Sequence, residues 1–515
     1  MPELHDRSAR ELISLIGSGT ASSREVLDAL IARTEAVEPT INAVTVRRYE
    51  EAREEAAAAD DAVARGLDLG PMHGLPVSIK DQFHVEGLPT TWGLVSRASH
   101  RAEREGPVVT ALRGAGAIPF VKTNAPVMLM ETETHNPIFG RTNNPYDVDR
   151  TPGGSSGGEG ALIGARGTPF GLGADIGGSL RVPAHYCGHA TIKPTSHRLP
   201  WDDNPRDLPG WQEAIVPQVG PMARTVADVS LGFEVFVGAG AGMPQEPFVP
   251  PVPWADPDAV DVSGLTFAAV TDDGGVAVSP AIRRAVDEAA RALEAAGARQ
   301  VAFDAPSAQE VVRLYAGLLG GDGFRHLREQ VGDDPMSPVI SFLTTAGRAP
   351  GPVARAASRA LGPLGDGVSV LASVGGPKSF YEYADLLGGR QDLLRRLAQS
   401  FHAGPDILLY PPHALPALTH GSFRDMMFAS STTFLANLTG LPAGVVPVTT
   451  VHVDEESDRK PGIDVVERFA KRNEKGSAGL PVGVQVIGPW WREDLVLAAM
   501  TAIEARVGGV PAPAL

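Results

Sequence analysis

A single cysteine, Cys187, excludes an intramolecular disulfide and any cysteine-built metal cluster. No apolar run is long enough to span a bilayer, and the opening Met1-Pro2-Glu3-Leu4-His5-Asp6 lacks the apolar stretch of a signal peptide. These absences predict a soluble, cytoplasmic protein. Basic charge is also short: 45 Lys and Arg stand against 61 Asp and Glu, a net charge of −16. A nucleic-acid surface needs a basic footprint, so no nucleic-acid partner is expected. No internal repeat or low-complexity tract stands out. Glycine and proline are abundant, at 58 and 44 of 515 residues. That predicts many tight turns and close backbone approaches.

The chain begins with helical patterns. Ser22 and Glu25 fit a capping box, with Val26, Leu27, Leu30, Ile31 and Val37 at helical spacing behind them. An alanine-rich stretch, Glu51 to Arg65, predicts a second helix. Short apolar strands then alternate with helices. Leu75 to Asp81, Ala117 to Lys122, Leu265 to Val270, Ile407 to Tyr410, Gly444 to Val448 and Val482 to Ile487 read as strands. Helices are expected up to Gly114, from Pro280 to Ala298 behind a Ser279 cap, from Tyr381 to His402 and from Glu493 to Arg506. Gly317 to Gly376 reads as helices and loops covering one side of the core. The pattern predicts one α/β domain over 1–515, with a helical segment to about 69 and a core over about 70–238. A Pro-rich connector follows over about 239–260, then a second α/β part over about 261–515.

Three local contexts carry chemistry. The first is Gly74-Leu75-Pro76-Val77-Ser78-Ile79-Lys80-Asp81. A lysine at the end of an apolar strand loses hydration, its charged form is disfavoured, and the neutral amine becomes a base. Its ordinary reading is a surface lysine paired with Asp81. The second is Pro152-Gly153-Gly154-Ser155-Ser156-Gly157-Gly158-Glu159-Gly160. Two glycine pairs around two serines let the backbone fold back and approach other groups. It lacks the Gly-Lys-Ser/Thr ending of a phosphate loop, and Glu159 would repel phosphate. By string it also matches a nucleophile elbow, which would make Ser155 the nucleophile with Asp406 and His413 or His420 as partners. The third is Gly173-Ala174-Asp175-Ile176-Gly177-Gly178-Ser179-Leu180-Arg181-Val182-Pro183. Glycines ahead of a serine can turn successive N–H groups toward one oxygen, as an oxyanion hole does. Asp175 and Arg181 flank this turn and could pair across it.

His185 and His189 have the spacing of two metal ligands on a helix, but Pro183 and Gly188 argue against a regular helix and no third ligand is evident. No metal site is therefore expected. Cys187 reads as packing, and Trp490-Trp491 as core.

Lys80, the Gly-Gly-Ser-Ser-Gly-Gly block and the Asp-x-Gly-Gly-Ser-x-Arg-x-Pro block, in this order, resemble the amidase signature family. Ile192-Lys193-Pro194-Thr195, Gly220 to Asp228, Asn437 to Pro442 and Gly479 to Gln485 extend the likeness over most of the chain. Gly157 to Gly164, Pro442 to Thr450 and an insertion from His452 to Ser477 bring it nearest to the fatty acid amide hydrolase branch.

The resemblance implies a single large mixed, twisted β-sheet covered by helices on both faces, with no cofactor. It implies Ser179 as nucleophile, Ser155 as relay after a cis peptide bond from Gly154, and Lys80 as base. Backbone N–H groups of Ile176, Gly177, Gly178 and Ser179 would form the oxyanion hole. Ser156 would support Ser155 or Lys80 by hydrogen bonding, and Asp175 and Arg181 would hold the turn. Leu129, Met130 and Glu131 fall where the family lines its substrate pocket. The expected activity is hydrolysis of amide-type C–N bonds in a small molecule through an acyl-enzyme. Carbamate or ester hydrolysis, the amidase subunit of a glutamine amidotransferase and a non-enzymatic scaffold are the alternatives, and a homodimer is compatible.

Overall fold

A computed structural model describes residues 3–67, 69–201, 213–240, 249–351, 353, 356, 360, 375–460 and 462–515. Its centre is an eleven-stranded mixed sheet. Across the sheet lie Val44–Arg47, Ile118–Thr123, Pro76–Lys80, Phe170–Asp175, Gln218–Ala223, Ala190–Lys193, Ala443–Thr450, Pro481–Ile487, Ile407–Tyr410, Thr266–Ala269 and Arg299–Gln300. Pro76–Lys80 is parallel to both of its neighbours. The middle of the sheet, from Phe170–Asp175 to Ile407–Tyr410, pairs antiparallel. Strands from the first half of the chain and from beyond residue 261 thus share one ladder, joined where Ala443–Thr450 meets Ala190–Lys193.

Successive strand residues point to opposite faces. Every residue of Pro76–Lys80, Ile118–Thr123, Phe170–Asp175, Gln218–Ala223 and Pro481–Ile487 is buried, so both faces are covered. This explains why Leu75 to Asp81, Ala117 to Lys122 and Val482 to Ile487 read as short apolar strands rather than alternating ones, whereas Phe170–Asp175 and Gln218–Ala223, interrupted by glycine or proline, do not read as strands in the sequence. The main apolar cluster joins sheet residues such as Phe120, Phe170 and Val484 to the helices Ser23–Ile41, Pro280–Ala295 and Glu493–Val507. A second cluster gathers Tyr315, Leu393, Leu408, Phe434 and Ile487 under the helices Ala308–Leu319, Phe380–Ala403 and Ser431–Thr439.

The expected strands and helices form within a few residues of their expected limits, and the Ser22–Glu25 capping box is made in full. Two local expectations fail for identifiable reasons. Ser279 precedes the Pro280–Ala295 helix but makes no side-chain cap, because its hydroxyl is drawn to the buried Glu474 carboxylate and to Ala414 O. That contact docks the 452–477 insertion, which itself forms the Val465–Glu474 helix, against the start of the helix. Arg181–Cys187 is an α-helix despite Pro183. The proline sits in the first turn, where an N–H would have no intrahelical acceptor, and Gly188 closes the helix in the left-handed region at φ 68°. The expected Gly317–Gly376 cover forms helices at Arg325–Val331 and Pro338–Ala346, and much of its remainder lies outside the described residues. Part of the Pro-rich connector, 241–248, lies outside them as well.

Close backbone approach is testable at Gly158. A Cβ there would sit 2.4 Å from Asn124 N, backbone that cannot give way. Gly158→Ala is expected to destabilise the protein by about 1–3 kcal/mol. Gly238→Ala, in an exposed helical position with nothing within 4 Å of the added carbon, should be neutral or stabilising by up to about 1 kcal/mol. Urea unfolding of the two variants checks the contrast; equal midpoints would contradict it.

Candidate active site

Lys80 ends the strand Pro76–Lys80 and is completely buried. Its Nζ donates to Ser155 Oγ at 2.8 Å. Asp81 is not its surface partner: that carboxylate turns away to accept from Thr91 N and Oγ1 and from Trp92 N. Burial pushes the Lys80 ammonium down to about 7, against the pull of Asp175, Glu159 and Asp81. Glu159, in the first turn of the Gly157–Gly164 helix, is also completely buried and accepts from Ser78 and Thr123 hydroxyls. Burial pushes its carboxyl up to about 7 despite those donors and Lys80. In the sequence, Glu159 argues only against phosphate binding. Its spacing from Ser155 carries no signal of a carboxyl near the lysine.

Ser155 follows a cis peptide bond from Gly154. Gly154 must lack a side chain, because a Cβ would stand 2.6 Å from the Glu131 carbonyl oxygen. The Ser156 hydroxyl meets Ala174 O at 3.3 Å, rather than Ser155 or Lys80, while its N–H donates to Ser179 O at 3.2 Å. Ser156 therefore laces the first serine loop to the strand and turn that carry the second serine.

The turn Ile176–Ser179 is clamped by a buried ion pair. Arg181 Nε and Nη2 donate to the two Asp175 oxygens, each at 2.9 Å, and neither side chain is exposed. Arg181 also donates to Thr433 O, Gln485 Oε1 and Asn437 Oδ1. Burial pushes the Asp175 carboxyl up, but the Arg181 charge and the donors from Arg181, Asn437 and Gly178 outweigh it and hold it well below the usual range. Gly178, at φ 110°, gives its N–H to Asp175 Oδ1 at 2.8 Å. That donor is committed to the clamp and is not free for an oxyanion. The N–H groups of Ile176, Gly177 and Ser179 have no acceptor among the described residues. Tyr315 OH holds the Ile176 carbonyl at 2.9 Å and Thr433 Oγ1 the Gly177 carbonyl at 3.0 Å, pointing these peptides' N–H ends the other way. Tyr315, Thr433, Asn437 and Gln485 were not legible as site residues, because they lie more than 130 positions from the turn they hold.

Ser179 opens onto a cavity of about 970 Å³, its mouth included. Leu129, Met130 and Glu131 all line it, with Tyr315, Phe324 and Phe434 among the other walls. Leu129 adopts φ 60°, in the left-handed region. The rival partners of Ser155 are engaged elsewhere. Asp406 accepts from Thr266, His413 Nδ1 lies 2.9 Å from Leu415 O, and His420 Nε2 faces Val148 O. His185 and His189 are buried with backbone partners, Leu415 O and Ala190 O, and Cys187 Sγ packs on Pro152 O. Trp490 packs on the second apolar cluster and with Trp491 borders a separate surface hollow.

A family model described as Amidase matches residues 25–497. Fatty acid amide hydrolase 1 from Caenorhabditis elegans is 34% identical over 446 residues, covering 85% of this chain and 77% of its own. Indoleacetamide hydrolase from Bradyrhizobium diazoefficiens is 32% identical over 514 residues, covering 97% and 86%. A solved fatty acid amide hydrolase structure superposes with a TM-score of 0.83 at 26% identity, over 99% of this chain and 87% of that one.

The clamp predicts its own cost. Asp175→Asn leaves the Arg181 charge buried without a countercharge. It should destabilise the protein by about 3–5 kcal/mol. Equilibrium denaturation reads this directly, and a loss under about 1 kcal/mol would mean the pair does not hold the turn.

Proposed function

This chain belongs to the amidase family, hydrolases of C–N bonds other than peptide bonds, and on that premise we propose that it cleaves amide-type bonds through an acyl-enzyme on Ser179. The observation that carries the reading is the 2.8 Å contact between the buried Lys80 Nζ and Ser155 Oγ, beside the cavity that Ser179 lines. Neutral Lys80 takes the Ser155 proton as Ser155 takes that of Ser179, and Ser179 Oγ forms its bond to the substrate carbonyl carbon. The developing oxyanion meets the Ile176, Gly177 and Ser179 N–H groups, aligned in advance by the Asp175–Arg181 clamp. As the C–N bond breaks, the proton returns from Lys80 through Ser155 to the leaving nitrogen. Water then releases the acyl group by the same route. Proton return matters most for amides, since an amine anion leaves poorly. Carbamates and esters present the same carbonyl to the same atoms, and the carbon-rich cavity suits an aryl or alkyl group.

Lys80→Ala should cost an anilide substrate at least about tenfold more in kcat/KM than the matching nitrophenyl ester, because only the amine needs the returned proton. Equal losses would remove Lys80 from that role. The base works in its neutral form. The depressed lysine therefore predicts a kcat/KM that rises with pH and reaches its plateau above about 7. A flat profile from acid to neutral pH would contradict a lysine base.

A further inference from the structure

The cavity beside Ser179 is walled mostly by carbon, yet three of its lining residues carry polar atoms that are buried and have no partner among the described residues. They are Glu131 Oε1, Thr132 Oγ1 and Ser430 Oγ. Thr132 is 6% exposed and Ser430 fully buried. Buried polar atoms left unpaired are costly, and a native cavity that keeps several is shaped for a ligand that pairs them. Glu131 is the most informative of the three. Its neighbour Glu133 is satisfied by the N–H groups of Gly421 and Phe423, whereas among the described residues Glu131 has Ser337 as its one side-chain partner and no cation beside it. Its backbone packs on Gly154, immediately before Ser155, so the residue joins the cavity wall to the loop that carries Ser155.

We propose that Glu131 is a specificity-determining residue: the cavity takes an apolar acyl or aryl body bearing one N–H or O–H donor, which Glu131 Oε1 accepts, in preference to a plain hydrocarbon chain. This rests on the acyl-enzyme reading of Ser179. A substrate without the donor leaves the carboxyl unpaired and dry, and that penalty is the source of the discrimination. A hydroxyl and a protonated amine both supply the donor; only the amine adds charge attraction.

The test uses the full chain and matched anilides of graded acyl length, each with a methyl, hydroxyl or amino terminus. The wild-type enzyme should favour a donor-bearing member over its methyl counterpart by about tenfold or more in kcat/KM. Glu131→Leu should erase the preference, bringing the ratio of donor-bearing to methyl kcat/KM to about one. Glu131→Gln should retain part of the hydroxyl preference and lose the amino one. Equal wild-type rates on all termini, or an unchanged preference in Glu131→Leu, overturn the inference. The wild-type ratio and Glu131→Gln decide it if Glu131→Leu does not fold. A wild-type protein that labels with a fluorophosphonate and hydrolyses every terminus alike refutes the role of Glu131 alone. One that neither labels nor hydrolyses refutes the acyl-enzyme reading and this inference with it.

Discussion

Arg181 and Asp175 form an ion pair with no access to water, and the geometry of the Ile176–Ser179 turn follows from it. Burying two charges is costly, and the interior returns that cost only when the remaining hydrogen-bonding capacity is filled. Here it is filled from both halves of the chain. Asp175 stands at the end of its strand and takes the Gly178 and Leu180 N–H groups, while Arg181 reaches Thr433, Asn437 and Gln485. The pair therefore bends the Ile176–Ser179 turn and pins it to the Ser431–Thr439 helix and the Pro481–Ile487 strand. On the proposed acyl-enzyme reading, a turn fixed in this way would not have to reorganise when charge develops on a substrate oxygen.

Lys80 depends on the same low-dielectric setting in the opposite sense. Asp175 is kept charged by its partners, whereas Lys80 has three carboxyl groups in electrostatic reach and a single hydroxyl as its hydrogen-bond acceptor in the site. Burial wins for the lysine and loses for Asp175. The difference is the direct ion pair, which only Asp175 has. Both groups are thus shifted toward their deprotonated forms, the lysine by burial and the carboxyl by its ion pair, which lets a neutral amine persist beside a carboxylate.

Much of this was legible in the sequence. The strand that ends in Lys80 showed as an apolar run because both its faces are covered, and the glycine pairs showed because backbone packs where side chains would collide, as at Gly154 and Gly158. Asp175 and Arg181 were recognisable as a pair because they flank one short turn. What stayed hidden was contact between distant segments. Ser156 serves Ala174 and the Ser179 carbonyl, Gly178 serves Asp175, and the clamp's far partners lie beyond residue 430. Ser279 looked like a cap because the Glu474 that claims its hydroxyl is 195 residues away. Local pattern reports helix starts and strand faces; it does not report which of two acceptors a hydroxyl will choose.

The central claim is that Ser179, not the elbow-like Ser155, forms the covalent bond. Trypsin separates the two serines, because Arg150, Arg166 and Arg181 bound two peptides. Peptide mapping of the fluorophosphonate-labelled enzyme by mass spectrometry is the most direct measurement. The account predicts the adduct on the peptide Gly167–Arg181, at Ser179. An adduct on Thr151–Arg166 would make Ser155 the nucleophile and contradict the relay.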